Sequence, residues 1–105
     1  MINNDYVRGY FDAHGRIWCR SKNRHTPQWC IEFEDRDADQ IKRVYDYLVQ
    51  KGYIVHSQSY VDLGALGESK RNRVQIGHSH EVKRFIEEIG SERPEWKERF
   101  AKIIT

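Results

Sequence analysis

The strongest constraint on the fold is the hydrophobic period of the sequence, which changes between two and about 3.6 along the chain. Residues 28–33 alternate as a strand with one buried face does, with every second side chain apolar: Trp29, Ile31 and Phe33. Residues 37–52 place apolar side chains at helical spacing instead: Ile41, Val44, Tyr45 and Leu48. Both patterns in a chain of 105 residues indicate one small domain of mixed α and β structure.

The same reasoning divides the rest of the chain into alternating hairpins and helices. Asn3 or Asn4 is expected to cap a first helix that runs to about Ala13, with Gly15 as its left-handed end. We predict hairpins over residues 16–34 and 53–76, the second with a glycine-rich loop at 62–69. Asp37 and Ser79 are expected to cap helices that end at Gly52 and Gly90, and a last helix begins near Pro94.

The predicted order is therefore αββαββαα in a single domain over residues 1–105. This order favours an α+β fold, with a four-stranded antiparallel sheet and the helices on one of its faces. The strand patterns then point a basic and polar set of side chains away from the helices: Arg16, Trp18, Arg20, Lys22, Gln28, His56, Gln58, Tyr60, Arg71, Arg73 and Gln75.

The distribution of charge is more informative than the net charge of +2. Basic residues cluster within 16–24 and 70–73, whereas acids concentrate at 32–39 and 87–98. Local basic stripes on a nearly neutral protein are compatible with nucleic-acid binding. Solvated strand edges protected by Lys and Arg are an equally consistent alternative.

The cysteine content and the hydropathy pattern bear on location. Cys19 and Cys30 are the two cysteines, and neither a signal peptide nor an apolar stretch of membrane length is present. We therefore expect a cytoplasmic, non-secreted protein with reduced thiols and no membrane partner. The strand alternation places the two cysteines on opposite faces of the sheet, which argues against a disulfide.

The first helix carries a recognisable motif. The segment VRGYFDAHG, residues 7–15, resembles the nine-residue motif of the LAGLIDADG homing endonucleases. The matching positions are Val7, Gly9, Asp12, Ala13 and Gly15, while Arg8 replaces the first alanine and His14 the second aspartate. The order of elements and the ending at residues 85–104 resemble that family as well, so the resemblance covers essentially the whole chain.

The resemblance implies a homodimer that binds double-stranded DNA. In the family, motif helices pack against each other at the dimer centre, and a saddle-like sheet lies in the major groove. The expected interface residues are Tyr6, Gly9, Tyr10 and Ala13; Gly9 and Ala13 form a small-residue strip at i and i+4. The alternative is a helix that tucks beneath its own sheet. A two-fold dimer implies a pseudo-palindromic DNA site.

The resemblance also implies a nuclease, a hydrolase that uses divalent metal, usually Mg²⁺. The motif acid and adjacent backbone carbonyls bind the metal in the family, which assigns the metal position to His14 and the Ala13 backbone. An imidazole suits Mg²⁺ poorly, because Mg²⁺ prefers oxygen ligands. Three readings stay open: cleavage is lost, with no cofactor; His14 supports weak activity with Mn²⁺, Ni²⁺ or Co²⁺ or acts as a general base; or the motif register differs.

Further candidates rest on weaker patterns. Asp12 stands at the first motif aspartate, which more often serves helix ends and packing, while Arg93 and Lys97 are catalytic candidates by position, with surface solvation as the alternative. The pair His78 and His80 is better explained by a helix cap at the serine between them than by a metal site. Two other functions also remain open: a non-catalytic DNA-binding regulator or RNA maturase on the same scaffold, and an unrelated α+β interaction module.

Overall fold

The computed structural model of the protein describes residues 2–21, 28–64 and 67–104. The helices and strands in these residues follow the predicted order αββαββαα. They are α1 (Asn4–His14), β1 (Gly15–Ser21), β2 (Gln28–Asp35), α2 (Ala38–Gln50), β3 (His56–Gly64), β4 (Gly67–Ile76), α3 (Ser79–Glu88) and α4 (Pro94–Ile104). The predicted α+β fold is confirmed.

The four strands form one antiparallel sheet in the order β1-β2-β4-β3, so β1 and β3 are its edges. Phe33 of β2 pairs with Val74 of β4, and both side chains are buried. The adjoining pair, Glu34 and Arg73, lies on the other face because successive side chains of a strand alternate. The register therefore separates an apolar inner face from a polar outer face, as the sequence predicts.

The core lies between the inner face of the sheet and the helices. Phe11 of α1 is its centre: the centroid of its ring is 5.6 Å from those of Phe33 and Phe85 and 5.8 Å from that of Phe100. These rings come from α1, β2, α3 and α4, and all are nearly inaccessible to solvent. Leu48 brings α2 into the same cluster. The helices are thus gathered on one face, which leaves the outer face of the sheet open.

Several helix ends agree with the sequence. The side chain of Asn3 caps α1 by accepting a hydrogen bond from the backbone N–H of Tyr6 at 2.8 Å. Asp37 caps α2 in the same way. Gly52 and Gly90 have φ of +91° and +70°, the left-handed conformation in which glycine follows a helix without strain.

The first helix ends at Gly15 as predicted, but the left-handed conformation predicted for this residue is wrong. Its φ of −103° and ψ of 165° are extended, and β1 begins at this residue without an intervening loop. The reason for glycine here is a close approach: a Cβ at this position would lie 2.7 Å from the carbonyl oxygen of Phe11 and would overlap the Phe11 ring. Gly15 therefore allows the chain to turn from helix to strand directly against the core.

Two further local predictions are wrong. The N-cap of α3 is His78, which makes no side-chain capping hydrogen bond, and Ser79 is already the first helical residue. The loop predicted over 62–69 is much shorter, because β3 continues to Gly64 and β4 begins at Gly67. Continued antiparallel pairing satisfies backbone groups that a long loop would leave to solvent.

The two cysteines lie on opposite faces of the first hairpin and are not joined by a disulfide. Cys19 pairs with Trp29 on the inner face, and Cys30 pairs with Trp18 on the outer face. None of the helices within residues 2–21, 28–64 and 67–104 is long and apolar enough to cross a membrane.

Candidate nucleic-acid interface

The outer face of the sheet carries the side chains that the sequence assigns to it. His56 pairs with Gln75, and Gln58 pairs with Arg73, so β3 has the predicted phase. Of the remaining predicted positions, the following lie on β1, β2 and β4 in the same alternation: Arg16, Trp18, Gln28 and Arg71. Lys22 lies outside the described residues. Arg20 and Tyr60 belong to the described strands β1 and β3, but their side chains lie outside the described part of the structure.

Two glutamates on the central strand β2 belong to this face and were not predicted as part of the site. Glu32 Oε2 accepts a hydrogen bond from Arg16 Nε at 2.6 Å, and Glu32 Oε1 accepts one from Gln75 Nε2 at 2.7 Å. Glu34 Oε1 accepts from Arg71 Nη1 at 2.8 Å. The strand alternation places Glu32 on this face, but it does not reveal which side chains of the neighbouring strands lie opposite the two glutamates.

Arg73 lies between the two glutamates. Its Nε is 3.3 Å from Glu32 Oε1, and its Nη2 is 3.4 Å from Glu34 Oε2. Three guanidinium groups of this face, those of Arg16, Arg71 and Arg73, therefore share two carboxylates. The resulting surface is an ordered network of alternating charge and not a simple positive patch.

Glu32 is the buried centre of this network, with only 1% of its surface exposed. A buried carboxylate is tolerated when its oxygens are paired and hydrogen-bonded, and Arg16, Arg73 and Gln75 supply those partners. Cys30, the preceding outward residue of β2, is also fully buried. The long side chains of the neighbouring strands thus cover the middle of the outer face and leave their own ends at the surface.

The C-terminal end of α1 is joined to the turn between α3 and α4 through Asp12. The Asp12 carboxylate accepts hydrogen bonds from the hydroxyl of Ser91 and from the backbone N–H of Glu92, the latter at 2.9 Å. Its carbonyl oxygen accepts one from Arg93 Nη1 at 3.2 Å. Both carboxylate oxygens of Asp12 are therefore engaged in holding two parts of the fold together.

His14 turns back along α1 towards β2. Its ring lies 4.7 Å from the ring of Tyr10 between centroids, and its Nε2 is 3.8 Å from Asp35 Oδ2. Tyr10 donates a hydrogen bond to the same oxygen at 2.7 Å. The His14 side chain is 41% exposed, so one side of the imidazole contacts the protein and the other faces solvent.

Asp35 stays ionised in this environment. Burial raises the pKa of its carboxyl, but the backbone N–H of Asp37, the hydroxyl of Tyr10 and the nearby His14 outweigh burial and hold the pKa below its ordinary value. The pKa of Tyr10 is raised, first by burial and then by its hydrogen bond to Asp35. The Tyr10 hydroxyl thus remains a donor to a carboxylate across the physiological pH range.

The residues at the end of α1 do not fit a Mg²⁺ site. His14 and Ala13 border an open cleft of about 380 Å³ that is also lined by Glu32 and Glu34. The Asp12 carboxylate and both glutamates are bound to other groups, which leaves an imidazole nitrogen where a hard cation needs several oxygens. Within the part of the chain that the structure describes, no three His, Cys, Asp or Glu side chains are grouped so as to hold a metal ion.

The remaining catalytic candidates have structural partners. Arg93 contacts the Asp12 carbonyl oxygen and places its Nη2 2.6 Å from Glu95 Oε1. Lys97 Nζ is 3.4 Å from Glu92 Oε2. Arg93, in the turn before α4, thus connects that turn to the end of α1, and Lys97 of α4 contacts the same turn.

The predicted interface residues of α1 divide into two groups. Gly9 and Ala13 are exposed on one side of the helix, and a Cβ added to Gly9 would meet nothing within 4 Å. Tyr6 is 38% exposed and donates a hydrogen bond to Gln40 Oε1 at 2.6 Å. Tyr10 differs, because it is 8% exposed and packs on Phe33 in its own core.

Comparisons with known proteins support the fold. No protein-family model matches the sequence, and no curated protein matches it either. Among solved structures, the chain is similar to the meganuclease I-SmaMI bound to uncleavable DNA, with a TM-score of 0.59 and 9% sequence identity. The similarity covers 97% of this chain and 36% of that chain, so this chain spans about a third of the meganuclease's length. The fold implied by the resemblance to LAGLIDADG homing endonucleases is therefore the fold of this chain: its structure is similar to part of a meganuclease.

Proposed function

We propose that this protein binds double-stranded DNA sequence-specifically, as a homodimer, through the outer face of its sheet. The observation that carries the proposal is the row of Arg, Gln and His side chains on a face that the helices leave open. The major groove admits a two-stranded β-ribbon, in which Arg pairs with guanine and Gln with adenine. The DNA-bound state of the similar meganuclease supports the same choice of ligand.

The homodimer is supported by the exposed strip of α1. Glycine in the middle of an exposed helix destabilises it by about 1 kcal/mol relative to alanine, and none of the residues that the structure describes occupies the space beside Gly9. A second helix packed there would explain the residue, because small side chains allow two helix backbones to approach closely. The chain matches 36% of the meganuclease chain, so a second copy would also supply a second DNA-reading sheet.

The proposed mechanism is binding and positioning without Mg²⁺-dependent cleavage. Side chains of the outer face contact base edges and phosphates, and the two-fold axis of the dimer matches a pseudo-palindromic site. At the centre of the dimer, His14 replaces a carboxylate in both copies. Its imidazole, held beside Tyr10 and Asp35, lacks the negative charge and the oxygen ligands that a Mg²⁺ ion requires. An intracellular location follows from the proposed DNA partner.

Selection of bound duplexes from a random library by the full chain tests DNA binding. We expect a pseudo-palindromic consensus and an affinity that falls steeply between 50 and 200 mM salt, as phosphate contacts require. An unrelated interaction module would select no consensus, and an RNA maturase would be competed off by structured RNA. Sedimentation of the complex should give two protein chains per duplex.

A cleavage assay on the selected site distinguishes the hypotheses about the role of His14. Wild-type protein and His14→Asp are incubated with the site in Mg²⁺, Mn²⁺, Ni²⁺ or Co²⁺, with His14→Asn as a variant that likewise lacks a carboxylate. We expect no nicking by the wild type in Mg²⁺ and measurable nicking by His14→Asp. Robust Mg²⁺-dependent cutting by the wild type contradicts the proposed loss, and cutting with the softer metals alone supports the reading in which His14 is a metal ligand.

A further inference from the structure

We propose that Glu32 is a positioning residue that orients Arg16 and Gln75 towards guanine and adenine and restrains binding to non-specific DNA. This inference depends on the proposed DNA-binding function of the outer face. Glu32 is 1% exposed, so its carboxylate lies beneath the surface that a duplex would meet. Its influence on DNA must therefore pass through the side chains that it holds.

The contact with Arg16 selects which edge of the guanidinium faces outwards. Glu32 Oε2 accepts from Arg16 Nε at 2.6 Å, while the Arg16 side chain is 58% exposed. Fixing the guanidinium through Nε leaves the two Nη groups at its far end. Those two groups form the pair of donors that matches the O6 and N7 acceptors of guanine.

The contact with Gln75 fixes the orientation of an amide. Glu32 Oε1 accepts from Gln75 Nε2 at 2.7 Å, and the carboxylate would repel the amide oxygen in the flipped orientation. The second N–H of Nε2 and the amide oxygen then remain for a ligand. A donor and an acceptor side by side complement the N7 and N6 groups of adenine.

The Glu32 carboxylate also lowers the attraction of the outer face for DNA phosphates, whatever the base sequence. Glu32 and Glu34 together neutralise two of the three guanidinium charges around them, with Arg73 lying between both acids. Non-specific DNA binding is supplied almost entirely by phosphate charge, so neutralisation weakens it everywhere. Contacts to base edges depend instead on how the side chains are oriented, and the network strengthens these contacts by fixing that orientation. Both effects raise the ratio of specific to non-specific affinity.

The test measures that ratio in Glu32→Gln, with Glu87→Gln as the control. Glu87 is an exposed residue of α3, so the control makes the same change of charge away from the sheet. Kd is measured for the selected site and for a random duplex across a range of salt concentrations. In Glu32→Gln we expect tighter binding to the random duplex, a ratio lowered about tenfold, and a log K against log salt slope steeper by about 0.9 per subunit. The control should leave the ratio unchanged.

A purely structural role for Glu32 would weaken binding to both duplexes together. An unchanged ratio, or an equal loss at both duplexes, overturns the inference, whereas absence of salt-sensitive binding by the wild type overturns the proposed function itself. If Glu32→Gln shows no cooperative melting, Glu32→Asp is measured in its place, because it keeps the negative charge and withdraws the carboxylate from Arg16 and Gln75. Its ratio is expected to fall through weaker binding to the selected site, and an unchanged ratio overturns the inference.

Discussion

Replacement of Gly9 by alanine should stabilise the single chain and weaken the dimer. In the chain alone, the new methyl group meets nothing within 4 Å, and exchange of glycine for alanine within a helix contributes about 1 kcal/mol. In a dimer whose α1 helices are in backbone contact, each copy adds a methyl group to a packed interface. Overpacking of this kind costs about 1–3 kcal/mol, which is roughly a five- to 150-fold rise in the dimer Kd.

The two effects have opposite signs and are measured separately. Urea unfolding at a protein concentration below the dimer Kd gives the free energy of the single chain, and sedimentation equilibrium gives the Kd. Gly9→Leu should dissociate the dimer further, while Lys83→Ala on the exposed side of α3 should leave the Kd unchanged. A stabilised Gly9→Ala protein with the wild-type dimer Kd would refute the idea that this glycine permits a close approach of helices.

Other predictions concern the fold around the site. Asp12→Asn should lower the unfolding free energy in urea by about 1–3 kcal/mol, because the two carboxylate oxygens accept from the hydroxyl of the buried Ser91 and from Glu92 N, an amide offers only one acceptor oxygen, and leaving a buried partner unsatisfied has this magnitude. Asp35→Asn should destabilise the protein near pH 7, and the difference from wild type should vanish in acid. The pKa of Asp35 in the folded protein is below its ordinary 3.8. The ionised carboxylate therefore contributes to the free energy of unfolding above pH 3.8, and this contribution is lost as the pH falls through the folded pKa. Phe85→Ala should cost about 3–5 kcal/mol in the same assay, enough to unfold much of a domain this small.

The parts of the fold that depend on local sequence could be predicted. The alternation of Trp29, Ile31 and Phe33 gave the correct inner face of β2, because side chains of a strand alternate whatever the strand packs against. Asn3 and Asp37 cap their helices as expected, since a cap bonds to amides two or three residues away. These features need no knowledge of the rest of the chain.

The predictions that failed depend on packing in the folded core or on contacts between distant residues. The helix ends at Gly15 as predicted, but the residue is extended and not left-handed; its small size is required by the Phe11 ring, which only the folded core positions. Ser91 and Glu92, the partners of Asp12, are 79 and 80 residues away in sequence. Glu32 acquires its role from residues on β1 and β4, and a strand pattern alone does not reveal which residues lie opposite it.

The direct passage from α1 to β1 has a consequence for the DNA that the dimer would accept. His14 ends the helix and Gly15 begins the strand, so no hinge separates the surface that joins two copies from the surface that reads DNA. In the proposed dimer the two sheets are then held at one separation and one rotation. Inserting a single base pair at the centre of the site shifts one half by about 3.4 Å along the duplex and also rotates it. Because the dimer cannot change the spacing of its two sheets, it could no longer bind both halves of the lengthened site at once.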